Sequence, residues 1–315
     1  MQEIFFHLFL LVVGFILLVK GADFFVDGAT NVALKFHIPM IIIGLTVAAF
    51  GTSLPEAAIS IEAAFEENAG ISVGNVIGSN ILNILIILGI SACITPLAVR
   101  RNTIRVEIPL VIGISVLLTA IGAIFGELSF FCGIILWIIF LAFLVYLFIQ
   151  ARRGGTGLEN NSIGQAELPF SKSLFYIALG LIAIILGSDV AVESATAIAK
   201  YIGVSDRIIG LTIVALGTSL PELVTSVSAA FKGNADIAVG NIVGSNIFNI
   251  LFVLGTSSLL TPLAFSSKFI LDGIVCAAAA AVLYICCSKR QVITRKAGFL
   301  MLLLYAVYFI YLIKR

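Results

Sequence analysis

The sequence predicts an all-α membrane protein of about ten transmembrane helices in two inverted-topology five-helix repeats. Three observations carry that prediction. First, 61% of the 315 residues are hydrophobic and only 11% are charged, against about 25% charged in an ordinary soluble domain. Second, ten apolar stretches approach the roughly 20 residues that cross a bilayer as a helix. Third, shifting the chain by 166 residues lays 44–99 on 210–265 with 34 of 56 positions identical. An odd number of spans per copy makes the second copy enter the membrane from the opposite side.

In chain order, the first stretch is 4–20; its flank holds Glu3 and His7 rather than a basic cluster, so it reads as a first helix and not as a leader peptide. The second, 38–50, runs into "GTSLPE" (51–56), and the third, 71–95, holds "GNVIGSNILN" (74–83). Stretches 104–125 and 128–150 complete the first repeat, 1–151, whose duplicated motif is 44–99. Residues 152–172, rich in Gly, Asn and Ser and without apolar periodicity, read as a solvated linker. The second repeat, 173–315, has stretches 174–187, 208–231, 237–260, 269–288 and 297–313, with its motif at 210–265. There "GTSLPE" recurs at 217–222 and "GNIVGSNIFN" stands at 240–249.

Net charge is only +1, yet basic residues are unevenly placed. Connections after odd-numbered spans carry twelve, from Lys35 and Arg100 to Arg295 and Lys296, while the opposite side with both termini carries five. The positive-inside rule makes the linker cytoplasmic and both termini extracytoplasmic, in a plasma or inner membrane. The five cysteines form no metal-type pair and read as small buried hydrophobes.

A proline inside an apolar run frees backbone oxygen. Pro55 and Pro221 have no N–H to offer the carbonyls of Gly51 and Gly217. Helical spacing puts Thr52, Glu56 and Ser60 on one face with Ser53 close by, and Thr218, Ser219, Glu222 and Ser226 repeat the pattern. Asn75, Ser79 and Asn83 share a face of the next helix, as do Asn241, Ser245 and Asn249. Carboxylates at bilayer depth are costly and mark ion pathways. All these donors are oxygens, which suits a hard cation rather than a soft metal. Glu56 and Glu222 supply two negative charges, which one Ca²⁺ or two Na⁺ would neutralise. Without a cation they repel each other, and protons are an alternative occupant. Glu62, Glu66 and Glu67 lack acidic counterparts and read as a solvated helix end; Asp23 and Asp189 match across the repeats but read as helix-end or interfacial groups.

The paired "GTSLPE" and "GNVIGSNILN"/"GNIVGSNIFN" segments resemble the alpha-repeats of the sodium/calcium exchangers, in the cation/calcium exchanger superfamily. The resemblance covers the whole ten-span layout. It implies an antiporter with no cofactor, whose partners are Ca²⁺, Na⁺ or H⁺ and the lipid bilayer, with no nucleic acid and no obligatory protein partner. Its cation ligands would fall on Thr52, Ser53, Glu56, Ser79, Asn83, Thr218, Ser219, Glu222, Ser245 and Asn249, with the carbonyls of Ala49 and Ala215. The first and sixth helices, about 4–31 and 173–197, would slide against the other eight. Some relatives, the potassium-dependent ones among them, carry Asp where Asn249 stands, which argues against potassium co-transport here.

Na⁺/Ca²⁺ antiport is thus the leading expectation and Ca²⁺/H⁺ antiport on the same glutamates its rival. An intramembrane metalloprotease would need H-E-x-x-H, which the sequence lacks, and a passive channel has no need of a duplicated carboxylate site. The charge asymmetry has a direct check. In a cysteine-free background, Gly155→Cys should be closed to an impermeant thiol reagent in intact cells and open to it in inverted vesicles; labelling from outside overturns the orientation.

Overall fold

The computed structural model describes residues 2–66, 68–154, 168–203 and 215–314. Its helices are α1 (Gln2–Phe36), α2 (Met40–Thr52), α3 (Leu54–Phe65), α4 (Ala69–Ile94), α5 (Thr103–Phe125) and α6 (Phe130–Gly154), then α7 (Phe170–Tyr201), α8 (Ala215–Gly217), α9 (Leu220–Phe231), α10 (Ala235–Leu260), α11 (Ser267–Ser288) and α12 (Arg295–Lys314). Four two-residue strands punctuate them: β1 (Leu97–Ala98), β2 (Glu127–Leu128), β3 (Leu263–Ala264) and β4 (Val292–Ile293). Among the described residues, eight helices are long and apolar enough to cross a bilayer, and the bent pair α2–α3 makes nine. The 208–214 part of the expected seventh span, and most of the linker, lie outside the described residues.

The central helices are the most buried. Within its most apolar stretch, α10 is 94% buried and α4 72%, against 17% for α1 and α12. Side chains facing lipid need only be apolar, whereas α4 and α10 must pack on every side. Their Gly and Ser content permits this. A Cβ on Gly240 would lie 2.8 Å from the Ile41 carbonyl oxygen, and one on Gly244 would lie 2.7 Å from the Ala49 Cβ, so α10 meets α2 almost backbone to backbone.

The duplication recurs in the packing. β1 pairs with β4 and β2 with β3, both antiparallel, so each pair joins one sequence repeat to the other. α5 packs on α11 through Gly273 against Thr119, and Gly122 of α5 lies against Phe265 just before α11. These strands satisfy backbone groups at helix ends and have no signature in a sequence of apolar runs.

α1 and α7 are longer than their apolar stretches. The expected first span, 4–20, continues to Phe36, and the expected sixth, 174–187, spans Phe170–Tyr201. At 1.5 Å per residue, α1 is about 52 Å long against a hydrocarbon core of about 30 Å. Asp23 is therefore an interior residue of α1 and not a helix-end group: it accepts from Ser228 at 2.9 Å, and Lys232 pairs with Asp27 at 2.6 Å. Asp189, its repeat counterpart, is exposed on α7.

The two long helices run antiparallel along a stripe of small residues seven apart. Gly14 meets Gly187, Gly21 meets Gly180 and Gly28 meets Ser173. A Cβ on Gly180 would lie 2.6 Å from the Phe25 amide nitrogen and 2.7 Å from the Gly21 carbonyl oxygen, both backbone atoms that cannot turn aside. Gly180→Val should therefore destabilise the protein by about 1–3 kcal/mol, as overpacking does. Thermal unfolding in detergent measures this, and Leu179→Val, at an exposed neighbour, should leave it nearly unchanged.

Candidate functional site

The two "GTSLPE" segments are breaks. α2 and α3 meet at 50°, and Ser53 between them leaves the helical region at φ −87°, ψ 9°; Ser219 does the same at φ −95°, ψ 7°. Each serine precedes a helix that begins Leu-Pro-Glu, where Pro is tolerated because the first-turn amides lack intrahelical partners anyway. Glu56 and Glu222 thus sit in the first turns of α3 and α9, the end at which the helix dipole favours negative charge. Of the carbonyls expected to be freed, that of Gly217 accepts from the Ser188 hydroxyl of α7 at 2.9 Å.

Both carboxylates are fully buried and are held across the repeats. Ser53 donates to Glu222 Oε1 at 2.7 Å, and Ser219 donates to Glu56 Oε1 at 3.3 Å. Ser245 stands 3.5 Å from Glu222 Oε1 and 3.4 Å from the Ala49 carbonyl oxygen. In each glutamate Oε2 is buried with no hydrogen-bond partner among the described residues.

Asn83 and Asn249 follow the same logic. Each opens a π-helical turn, Asn83–Leu88 and Asn249–Leu254, a distortion often found at functional sites. Asn83 Nδ2 donates to Asn246 Oδ1 and Asn249 Nδ2 to Asn80 Oδ1, both at 3.2 Å. Asn80 and Asn246 also exchange bonds with each other's backbone carbonyls at 3.1 Å. Engaging the amide nitrogens fixes the side chains so that Asn83 Oδ1 and Asn249 Oδ1 are left buried and without partners among the described residues. Asn80 and Asn246 were not among the residues expected from sequence. Their signal was there: both are amides buried in a membrane helix and both survive duplication.

The remaining expected residues divide. Thr52 is buried, its hydroxyl 3.0 Å from the Ala48 carbonyl oxygen and 3.1 Å from Asn241 Oδ1. Thr218 Oγ1 is buried without a partner among the described residues, which do not include the turn before it. Ser79 is buried and, with Asn75 and Asp272, lines a cavity against α11 and α12. Ala215 opens α8 directly after a segment outside the described residues. Asn75 and Asn241 serve as bridges: their amides reach the Glu56 and Glu222 carbonyl oxygens at 3.3 and 3.4 Å, and Ser60 and Ser226 at 2.9 and 3.0 Å.

The result is a buried set of oxygen atoms that accept no hydrogen bond among the described residues: two carboxylate oxygens and two amide oxygens. Burying such groups without partners costs free energy. A hard cation is the chemistry that relieves it, since Ca²⁺ takes 6–8 oxygen ligands. Imidazole and thiolate are absent from the cluster, so it offers nothing to a soft metal.

Comparison with known proteins agrees with this geometry. Residues 6–149 and 172–314 match the family described as sodium/calcium exchanger protein. The chain is 42% identical over 263 residues to the inner membrane protein YrbG of Escherichia coli, covering 80% of this chain and 79% of that protein. It is 33% identical over 294 residues to the sodium/calcium exchanger MaX1 of Methanosarcina acetivorans, covering 81% and 83%. A solved structure of the sodium-calcium exchanger NCX_Mj, soaked with zero Na⁺ and Ca²⁺, superposes with a TM-score of 0.85 at 34% identity over 98% of this chain and 99% of that one. Two broken helices, a buried carboxylate pair and a family match over both repeats lead to one conclusion: this multi-pass membrane protein belongs to the sodium/calcium exchanger family.

Proposed function

We propose that the chain is a secondary antiporter that exchanges Na⁺ for Ca²⁺ at one buried site, exposed alternately to the two faces of the membrane. One observation carries the proposal: Glu56 and Glu222 each have one oxygen held by a serine of the other repeat and a second, buried oxygen without a partner among the described residues. Two negative charges are neutralised by one Ca²⁺ or by two Na⁺, so the ions compete for the same oxygens, which is what exchange requires. The ligands in this reading are Glu56, Glu222, Asn83, Asn249, Ser53, Ser219, Ser79, Ser245, Thr52 and Thr218, with the carbonyls of Ala49 and Ala215. The protein catalyses no covalent chemistry and needs no cofactor.

The architecture in this proposal is ten spans in two inverted repeats, 1–151 and 173–315, joined by a cytoplasmic linker at 152–172. The reciprocal bonds at positions 166 apart and the cross-paired strands support it, as do broken helices at matching positions in the two halves. α1 and α7, joined along their glycine stripe, form a unit that slides against the rest. The name sodium/calcium exchanger borne by MaX1 supports Na⁺ as counter-ion. Ca²⁺/H⁺ antiport is the second reading, because the paired carboxylates can also carry protons.

Reconstituted into liposomes, the protein should accumulate ⁴⁵Ca²⁺ under an outward Na⁺ gradient and much less under a proton gradient alone; the reverse result selects the second reading. Glu56→Gln and Glu222→Gln should each abolish this uptake in a folded protein, since about 4 kcal/mol of lost interaction is about a thousandfold in binding. A folded Glu56→Gln variant that exchanged Ca²⁺ at near-normal rate would sink the proposal. Asn249→Asp adds a third carboxylate and should change the number of Na⁺ ions exchanged per Ca²⁺ or introduce competition by protons. Reversal-potential flux measurements across a pH series read both, and unchanged coupling would place Asn249 outside the site.

A further inference from the structure

Away from the ion site lies a cavity of about 450 Å³ lined by residues from the N-terminal ends of α2 and α5 and the C-terminal part of α6. Its wall includes Glu107, which is 3% exposed. Glu107 Oε1 accepts from the Tyr146 hydroxyl at 2.6 Å, and that hydroxyl accepts from Gln150 Nε2 at 3.3 Å. Glu107 Oε2 is buried with no hydrogen-bond partner among the described residues, and Thr103 lines the same wall one helical turn earlier. At the same cavity stand Arg100 and Arg101, both exposed. Arg100 is taken by Asp236 at 2.6 Å, while Arg101 has no partner among the described residues. The rest of the wall includes Ile41, Leu45 and Leu147, which are apolar.

None of this belongs to the duplicated ion site. The repeat offset falls from 166 to 165 across the π-helical turn Thr103–Glu107, as the matching positive-φ residues Gly126 and Gln291 show, so Arg101 corresponds to Ser267 but Glu107 corresponds to Asp272 and Tyr146 to Tyr311. The second repeat keeps a buried acid, Asp272, which accepts from the Tyr308 hydroxyl at 3.1 Å, whereas the arginine six residues before Glu107, without a partner among the described residues, has no basic counterpart. The chemistry of Glu107 and Arg101 is specific. Glu107 Oε2 needs a donor, and a cationic N–H donor best. Arg101 offers a planar fork that suits a phosphate. About 9 Å of helix rise separates the two residues, a gap that the flexible arginine shortens. The apolar wall opens where α5 emerges from its hydrophobic stretch, at the edge of the hydrocarbon.

We infer that this cavity binds the headgroup of an aminophospholipid, the primary ammonium donating to Glu107 Oε2 and the phosphate resting on Arg101. A quaternary ammonium cannot donate to Glu107, and an uncharged headgroup leaves the carboxylate without a cation. The site therefore distinguishes phosphatidylethanolamine from phosphatidylcholine and phosphatidylglycerol of the same acyl chains. Binding is independent of which ions are exchanged, so the inference stands or falls separately from the proposed antiport.

Native mass spectrometry of the delipidated full chain, titrated with each of the three lipids, tests it. Phosphatidylethanolamine should be retained about tenfold or more over phosphatidylcholine, the worth of a charge-assisted hydrogen bond. Glu107→Gln should erase that preference, and Arg101→Ala, at an exposed position that does not threaten folding, should weaken retention of both phosphatidylethanolamine and phosphatidylglycerol. Excess O-phosphoethanolamine, which lacks acyl chains, should fail to displace the lipid. Equal retention of the three lipids, an undiminished preference in Glu107→Gln, unchanged retention in Arg101→Ala, or displacement by the soluble headgroup each overturns the inference.

Discussion

Two carboxylates buried in the middle of an apolar helical protein set the terms for the rest of the structure. Glu56 and Glu222 have no exposed surface, and an isolated buried charge would cost more than a whole domain's net stability. Three features make the burial tolerable. Each glutamate lies in a helix's first turn, where the backbone is electropositive. Each has one oxygen hydrogen-bonded by a serine from the opposite repeat. Each keeps the other oxygen in reserve, which in the proposed function is for the transported ion. The chain breaks at Ser53 and Ser219 follow from the same need, since an unbroken helix has no first turn at its centre.

Holding those oxygens apart from hydrogen-bond donors requires rigidity around them. The four asparagines provide it by satisfying one another: Asn80 and Asn246 lock backbone to backbone across the repeats and at the same time occupy the amide nitrogens of Asn83 and Asn249. Glycines at 240 and 244 bring the backbones of α2 and α10 close enough for Ser245 to reach both Ala49 and Glu222. Close approach, small residues and reciprocal amides are one solution to a single problem, because no water in the bilayer core can correct a misplaced polar group.

Duplication has not kept the two halves electrostatically alike. Lys232 on the connection after α9 ties α1 through Asp23 and Asp27. Carried through the register, the same arrangement would set Glu62 and Glu66 against Asp189 and Glu193, four acids that are all exposed. One end of the long helix pair is therefore fastened by an ion pair that the other end cannot form. Pairs this open to solvent contribute modestly to stability, about 0–1 kcal/mol, so the fastening is reversible.

Composition and hydropathy made the membrane class and most helices legible, because a bilayer imposes length and apolarity on each span independently. The self-match marked Glu56 with Glu222 and Asn83 with Asn249 as equivalent, and the proline after each break announced where the helices would kink. Equivalence does not say which residues touch. That Ser53 serves Glu222 rather than Glu56, that β1 pairs with β4, and that Gly14 meets Gly187 while its register partner is Gly180, are decided by how the repeats interlock. The lengths of α1 and α7, which the family resemblance put at about 4–31 and 173–197, escaped hydropathy for a related reason: Asp23 and Asp27 look like the end of a span until Lys232, some 205 residues away, arrives to pair with them. Local pattern determined what each segment could be, and tertiary packing decided which buried polar groups met, since a hydrogen bond depends on distance in space and leaves no periodicity in the chain.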